Sequence, residues 1–429
     1  MKYKNKTLNY KFGSLNFKQL LLQYKTPILY TGGSTAKALA TIIVGFVVAK
    51  FISPNDLGVW STINLAVTYS FFLQAGLING LNIELPFTLG KGDDDQAKIL
   101  AGTAQTFTFL SSCLILILGL GYFFFIPEDN SKIRYGVLAI TFFISLNYYQ
   151  NYLISTFRSK DSFTKLSLFQ VVDAFVNLST LVLVVYYSYY GMIIKSIVGL
   201  FIYVLLLHFS RPVKVGFIWN KLAFIKLFKV GIPIFGLVYL DSISSTIDKL
   251  WLLKFSNMTN VGLYSFAMYS LTLFTLFSAS IASYIYPRMT YSYGKNNNTL
   301  VLWNYAKKIS VILFLIQLPL AILGCYVIPI LVTTFFPNYV LSILAMQILL
   351  FAGVFKGSVV GVNALWSMKS WKYMLQYQLL YSFLLIGLTF IGIKFFANVI
   401  EGVAYGVLLA NAINLVSGMY FTYVATHKE

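Results

Sequence analysis

From Pro27 onward the chain is a succession of apolar runs, each about 20 residues long, separated by short polar breaks. At about 1.5 Å per residue, each run is long enough to cross a hydrocarbon core about 30 Å thick as an α-helix. Twelve such runs lie near residues 27–49, 59–83, 99–126, 133–156, 166–189, 191–209, 230–253, 261–286, 308–334, 339–365, 373–394 and 397–424. Stretches such as 114–126 and 312–323 are continuously apolar and lack the in-out alternation of membrane barrel strands. The expected fold is therefore an all-α polytopic membrane protein with about twelve transmembrane helices. Composition agrees: 58% of residues are hydrophobic and 10% charged, against about 45–50% and about 25% in soluble domains.

A net charge of +19 would suggest a nucleic-acid partner in a soluble protein. Here the basic residues alternate between breaks: 23 of the 32 Lys and Arg fall on one side of the twelve runs, 5 on the other, and Lys37, Lys195, Lys249 and Lys356 lie within them. By the positive-inside bias the richer side is cytoplasmic, so both termini are expected inside, and the excess charge faces anionic lipid rather than nucleic acid. The first 26 residues carry six Lys and no apolar core, unlike a signal peptide. Two Cys and two His, far apart, give no disulfide framework and no metal site, and no cofactor is expected.

The segment Lys50-Phe51-Ile52-Ser53-Pro54-Asn55-Asp56-Leu57-Gly58-Val59-Trp60-Ser61 recurs as Lys254-Phe255-Ser256-Asn257-Met258-Thr259-Asn260-Val261-Gly262-Leu263-Tyr264-Ser265, at an offset of 204. Six helices separate the copies, so two six-helix lobes are expected in the same orientation, related by a pseudo-twofold axis along the membrane normal with a substrate path between them. The expected organisation is a cytoplasmic tail over 1–26, an N-lobe over 27–209, a linker over 210–229 and a C-lobe over 230–429.

Ionisable residues inside spans cost about 2.5–3.5 kcal/mol to insert, so they default to interior positions. Lys37 and Asp241 lie near mid-span and are related by the same offset of 204. If their helices face each other they pair, as a gate or latch that frees Lys37 for an anionic group, or as a permanent structural ion pair. Lys356, beside Gly357 and Gly361, either lines a cavity that attracts phosphate, or snorkels, or pairs with an Asp. Asp173 is either a coupling-ion carboxylate or the partner of a buried Lys. Lys249 and Lys195 are expected to reach toward the outer interface, and Glu84 to be a solvated cap. The Asp93-Asp94-Asp95 run reads as a solvated inner loop, and Tyr186, Tyr187, Tyr189 and Tyr190 as an aromatic belt.

Several of these segments carry a family pattern: Leu57-Gly58-Val59-Trp60-Ser61, Gln74-Ala75-Gly76-Leu77, Phe228-Lys229-Val230-Gly231-Ile232-Pro233, Ile247-Asp248-Lys249, Val261-Gly262-Leu263-Tyr264-Ser265 and Tyr286-Pro287-Arg288. Over essentially its whole length the chain resembles the polysaccharide-biosynthesis flippases, the Wzx-type O-antigen and capsule translocases of the multidrug/oligosaccharidyl-lipid/polysaccharide exporter superfamily. The resemblance implies a bacterial inner-membrane transporter, not an enzyme. It would flip an undecaprenyl-pyrophosphate-linked oligosaccharide, such as an O-antigen unit of lipopolysaccharide or a capsule unit, from the inner to the outer leaflet. It also implies cavity cations for the head group, for which Lys37, Lys249 and Lys356 are the candidates, and ion-coupled gating, for which Asp173 and Asp241 are. Membrane lipids, H+ or Na+ as coupling ion, and polysaccharide-assembly proteins are the expected partners. The alternatives are a multidrug or metabolite exporter of the same superfamily, and a membrane-embedded glycan enzyme. The latter would need a paired acid and base at one depth, which the sequence does not display.

Overall fold

The computed structural model describes residues 17–296 and 298–428, and its regular elements are all helical. The first half of the chain forms α1 (Phe17–Phe51), α2 (Pro54–Ser70), α3 (Leu77–Gly90), α4 (Asp94–Phe125), α5 (Ser131–Ser159), α6 (Phe163–Ser179) and α7 (Leu181–Phe209). The second half forms α8 (Lys221–Ser244), α9 (Ile247–Phe255), α10 (Met258–Asn296), α11 (Thr299–Phe335), α12 (Ile343–Ser358), α13 (Asn363–Met368), α14 (Trp371–Phe395) and α15 (Val399–Lys428). Among the described residues eight helices are long and apolar enough to cross a membrane, or up to nine if α2 and α3 make one bent span. The chain is an all-α, multi-pass membrane protein.

Residues 1–16 of the expected tail lie outside the described residues, and from Phe17 the chain is already helical. The sequence there includes Leu20, Leu21 and Leu22, which are good helix formers. A helix also begins inside the expected linker. Asn220 caps α8, its side chain accepting a hydrogen bond from the Ala223 N–H at 2.9 Å, so the helix starts at Lys221. The Asp93-Asp94-Asp95 run belongs to a helix start: Asp93 accepts from the Gln96 N–H at 3.0 Å, and its two neighbours occupy the first turn of α4, where negative charge complements the dipole.

Two breaks shape the first half. Between α2 and α3 the chain passes through a 3-10 turn (Phe71–Gln74) and two left-handed residues, Ala75 and Gly76, with a bend of 55°. Gly76 is required twice over: its φ is +74°, and an added Cβ would press on Phe235 and the Gly231 carbonyl of α8. The second break is hidden inside α7, where Ser188 has φ 47° and ψ −119°. A Cβ on Gly191 would collide with the Leu183 carbonyl, although residues eight apart on a straight helix stand about 12 Å apart. The chain therefore doubles back at Ser188. Tyr189, in the turn, is buried and donates to the Lys132 carbonyl at 2.8 Å, whereas Tyr186 and Tyr187 are exposed as a lipid-facing belt requires.

The two halves of the chain meet along α2 against α10 and α3 against α8. At the first contact neither Gly58 nor Gly262 has room for a Cβ: at Gly58 it would strike the Met258 carbonyl, at Gly262 the Pro54 carbonyl. Asn55 Nδ2 donates to Thr259 Oγ1 across the same contact, at 3.4 Å. At the second, Gly76 and Gly80 pack on Gly231 and Leu227, and Lys226 forms an ion pair with Glu84 at 2.6 Å. Glu84 is thus a partner of α8 rather than a solvated cap.

Candidate functional site

Two polar clusters interrupt the apolar interior. The first is built by α1, α6 and α7. A Cβ on Gly33 would collide with Ser167, so α1 and α6 lie close together, and one turn further along Lys37 reaches across. Its Nζ lies 2.8 Å from Asp173 Oδ2, with side-chain exposures of 34% for the lysine and 5% for the aspartate. Asp173 Oδ1 accepts from Asn177 Nδ2 at 3.1 Å, and Asn177 Oδ1 in turn accepts from Lys195 Nζ at 3.0 Å. The Lys37 ammonium also stands over the Tyr203 ring, 4.3 Å from its centroid, a favourable placement for a partly desolvated cation. One carboxylate thus serves two lysines, one directly and one through an amide, leaving one positive charge in excess.

The pairing of Lys37 with Asp241, expected only if their helices face each other, is corrected here. Lys37 lies on the face of α1 that packs on α6, so its carboxylate partner is Asp173. Asp241 is exposed on α8 and accepts from Gln378 Nε2 at 3.1 Å. Lys195 is also corrected. It does not reach the interface but is 5% exposed, because the reversal at Ser188 swings it back beside Asn177.

The second cluster lies in the other half. Asp248 is buried; its Oδ2 accepts from the Tyr264 hydroxyl at 2.6 Å and its Oδ1 from the Lys249 N–H at 2.7 Å. The Lys249 and Lys356 ammonium groups both attract this carboxylate. Lys249 is half-buried. Lys356 sits in the last turn of α12, where Gly357 and Gly361 close against α10 and α11. Nearby, Tyr381 donates to Asn411 Oδ1 at 3.0 Å. The three candidate cations therefore divide between two clusters, Lys37 in one and Lys249 and Lys356 in the other. Sequence reasoning missed Asn177, Tyr203, Tyr264 and Gln378. Only Asn177, four residues after Asp173 on the same helix face, had a signal that pointed to it.

The fold is shared with solved transporters. An inward-facing multidrug resistance MATE family transporter of the MOP superfamily overlaps with a TM-score of 0.71 at 14% identity, over 91% of this chain and 95% of that one. An outward-facing structure of such a transporter gives 0.62 at 15% identity, over 96% of each chain. A Vibrio cholerae MATE transporter in the bent form gives 0.61 at 17% identity, over 94% and 97%. No curated protein matches the chain in sequence. The model of the polysaccharide biosynthesis protein family matches residues 47–345, well over half of the chain, and takes in both repeat segments and the α2/α3 break; the chain belongs to that family.

Proposed function

We propose that this protein is an alternating-access transporter of the bacterial inner membrane that flips an undecaprenyl-pyrophosphate-linked oligosaccharide to the outer leaflet. The observation that carries this reading is the Lys37 cluster, in which an ammonium one-third exposed stands at a site with one positive charge in excess. A membrane interior retains such a cation at a cost, and an anionic head group repays it with charge-assisted hydrogen bonds. Lys37 is the head-group cation of this reading, Lys249 and Lys356 are further cavity cations, and Asp173 and Asp241 change partners as the lobes move. No catalytic step is assigned to the chain.

The mechanism calls for twelve spans in two lobes. The eight or nine helices that pass on length and hydropathy become twelve when α1 and α5 are added and α6 with residues 181–187 is separated from 189–209 at the Ser188 reversal. The lobes are then 27–209 and 230–429, joined by 210–229, with both termini cytoplasmic. A twofold axis between them is supported by the seam: Gly58 meets Met258 while Gly262 meets Pro54, and 54 and 258, like 58 and 262, differ by 204. Such reciprocity is the mark of a twofold contact. It closes the side bearing Pro54 and Met258, the outer side in this topology, in keeping with the larger overlap with the inward-facing transporter.

A second reading, export of drugs or metabolites, is favoured at the level of the whole fold by the overlaps with multidrug transporters. Proteoliposome assays separate the two. The flippase reading expects inward-labelled lipid-linked oligosaccharide to reach the outer leaflet with the unmodified chain, and the rate to fall at least tenfold in a normally inserted Lys37→Ala variant. Efflux of an organic cation without movement of the lipid-linked sugar would leave the exporter reading standing instead.

A further inference from the structure

A cavity of about 300 Å³ opens between α3, α5 and α8, beside the break at Gly76. Its polar wall includes Gln74, Asn79, Asn82, Asn151, Ser155 and Arg158, and its apolar wall includes Phe235 and Tyr239, whose rings stack at 4.9 Å. Gln74 is 6% exposed and Ser155 1% exposed. Gln74 Nε2 and Ser155 Oγ are shut away from solvent and, among the described residues, have no hydrogen-bond partner. Buried polar atoms left unpaired cost about 1–3 kcal/mol each; these two lie in the cavity wall but out of a ligand's reach until their side chains rotate, so the groups offered directly are the amides of Asn79, Asn82 and Asn151. The cap Gly76 offers no side chain to the first-turn N–H groups of α3. The carbonyls of Tyr69 and Ser70 just before the break are already occupied by the hydroxyls of Tyr239 and Tyr148, so what remains on offer is mainly side-chain amide, hydroxyl and backbone N–H.

We infer that this cavity is a carbohydrate subsite that takes one or two pyranose rings of the transported head group. Side-chain amides present a donor and an acceptor on one small group, which matches vicinal sugar hydroxyls. The stacked Phe235 and Tyr239 supply the flat apolar face on which a pyranose C–H surface rests. None of the residues that line the cavity is a carboxylate, so an organic cation finds no counter-charge there. The larger cavity of about 510 Å³ among α1, α10, α11 and α12 is walled by residues such as Phe46, Phe274, Leu320 and Leu350 and has no comparable polar face. The sugar subsite rests on the flippase reading for its role, but its chemistry is read from its own walls.

The test is saturation-transfer NMR on the full chain in nanodiscs, with methyl galactoside, methyl glucoside and N-acetylglucosamine as probes. At least one sugar should receive saturation at its ring protons, and Asn82→Leu should weaken its binding about tenfold, the loss expected for one or two hydrogen bonds. Asn82 is exposed on α3, so the change does not disturb the core; Asn79→Leu serves as a second variant. Gly121→Ala, remote from both polar clusters and from the cavity, should leave sugar saturation unchanged, and tetraphenylphosphonium should not compete. Absence of saturation with every sugar, equal saturation in both Asn variants, or displacement by tetraphenylphosphonium would overturn the subsite. These outcomes are separable from transport. Saturation lost in the Asn variants, in a chain that flips no lipid-linked oligosaccharide, leaves the subsite standing and overturns the flippase reading. A chain that flips the lipid but shows no sugar saturation does the reverse.

Discussion

Asp173 is the single carboxylate that compensates both lysines of the first cluster, Lys37 by direct contact and Lys195 through Asn177. Removing it leaves Lys195, almost wholly buried, without compensation, whereas removing Lys37 leaves Asp173 still bonded to Asn177. Asp173→Ala is therefore expected to destabilise the protein by roughly 3 kcal/mol and to lower its melting temperature in detergent well below that of Lys37→Ala. Equal melting temperatures for the two variants would show that the carboxylate does not hold the cluster. That Lys37 and Asp173 are charges inside spans was legible in the sequence, since apolar neighbours on both sides fix their depth. Which carboxylate meets Lys37 was not legible: the choice depends on the rotation of α1 about its axis and on the close approach that Gly33 permits. The offset of 204 pointed to Asp241 by symmetry, and local packing overrode it. The sugar-facing residues did leave a trace, because Asn151, Ser155 and Arg158 at i, i+4 and i+7 form one polar stripe along the C-terminal part of α5. That stripe gains meaning only once α3 and α8 are seen to face it.

Among the elements, α2 and α10 are held together where two repeat-related glycines leave no space for side chains. Gly58→Leu and Gly262→Leu must each push the two helices apart. Overpacking of this kind costs about 1–3 kcal/mol or more, and because the contact is reciprocal the two variants should lose similar amounts of thermal stability. Gly121→Ala in α4 has no heavy atom within 4 Å of its new Cβ; it should leave the melting temperature unchanged or raise it slightly, as alanine is the better helix former. A large drop for Gly121→Ala, or a drop at only one of the paired glycines, would contradict this packing. The helices themselves were largely legible, since hydropathy fixes length and position of spans without knowledge of neighbours. The reversal at Ser188 fell within two residues of the expected division between runs at 189 and 191. The break inside the second run was not foreseen, because Gln74-Ala75-Gly76 reads as an ordinary turn-compatible triplet and only the pressure of α8 on Gly76 requires the left-handed backbone.

At the scale of the whole molecule, the proposed mechanism needs the two halves of the chain to part and close around an interior path. In the structure the two halves of the chain touch at Asn55 and Thr259, 3.4 Å apart, on the side that the proposed topology places at the outer leaflet. Transport requires that contact to open. The most direct test is the flipping rate of lipid-linked oligosaccharide in proteoliposomes containing a chain with Cys at 55 and 259, Cys113 and Cys325 having been replaced by Ser. The account predicts that oxidation cross-links the pair without added substrate, stops flipping, and that reduction restores it. Full flipping with the cross-link intact would contradict the alternating-access mechanism.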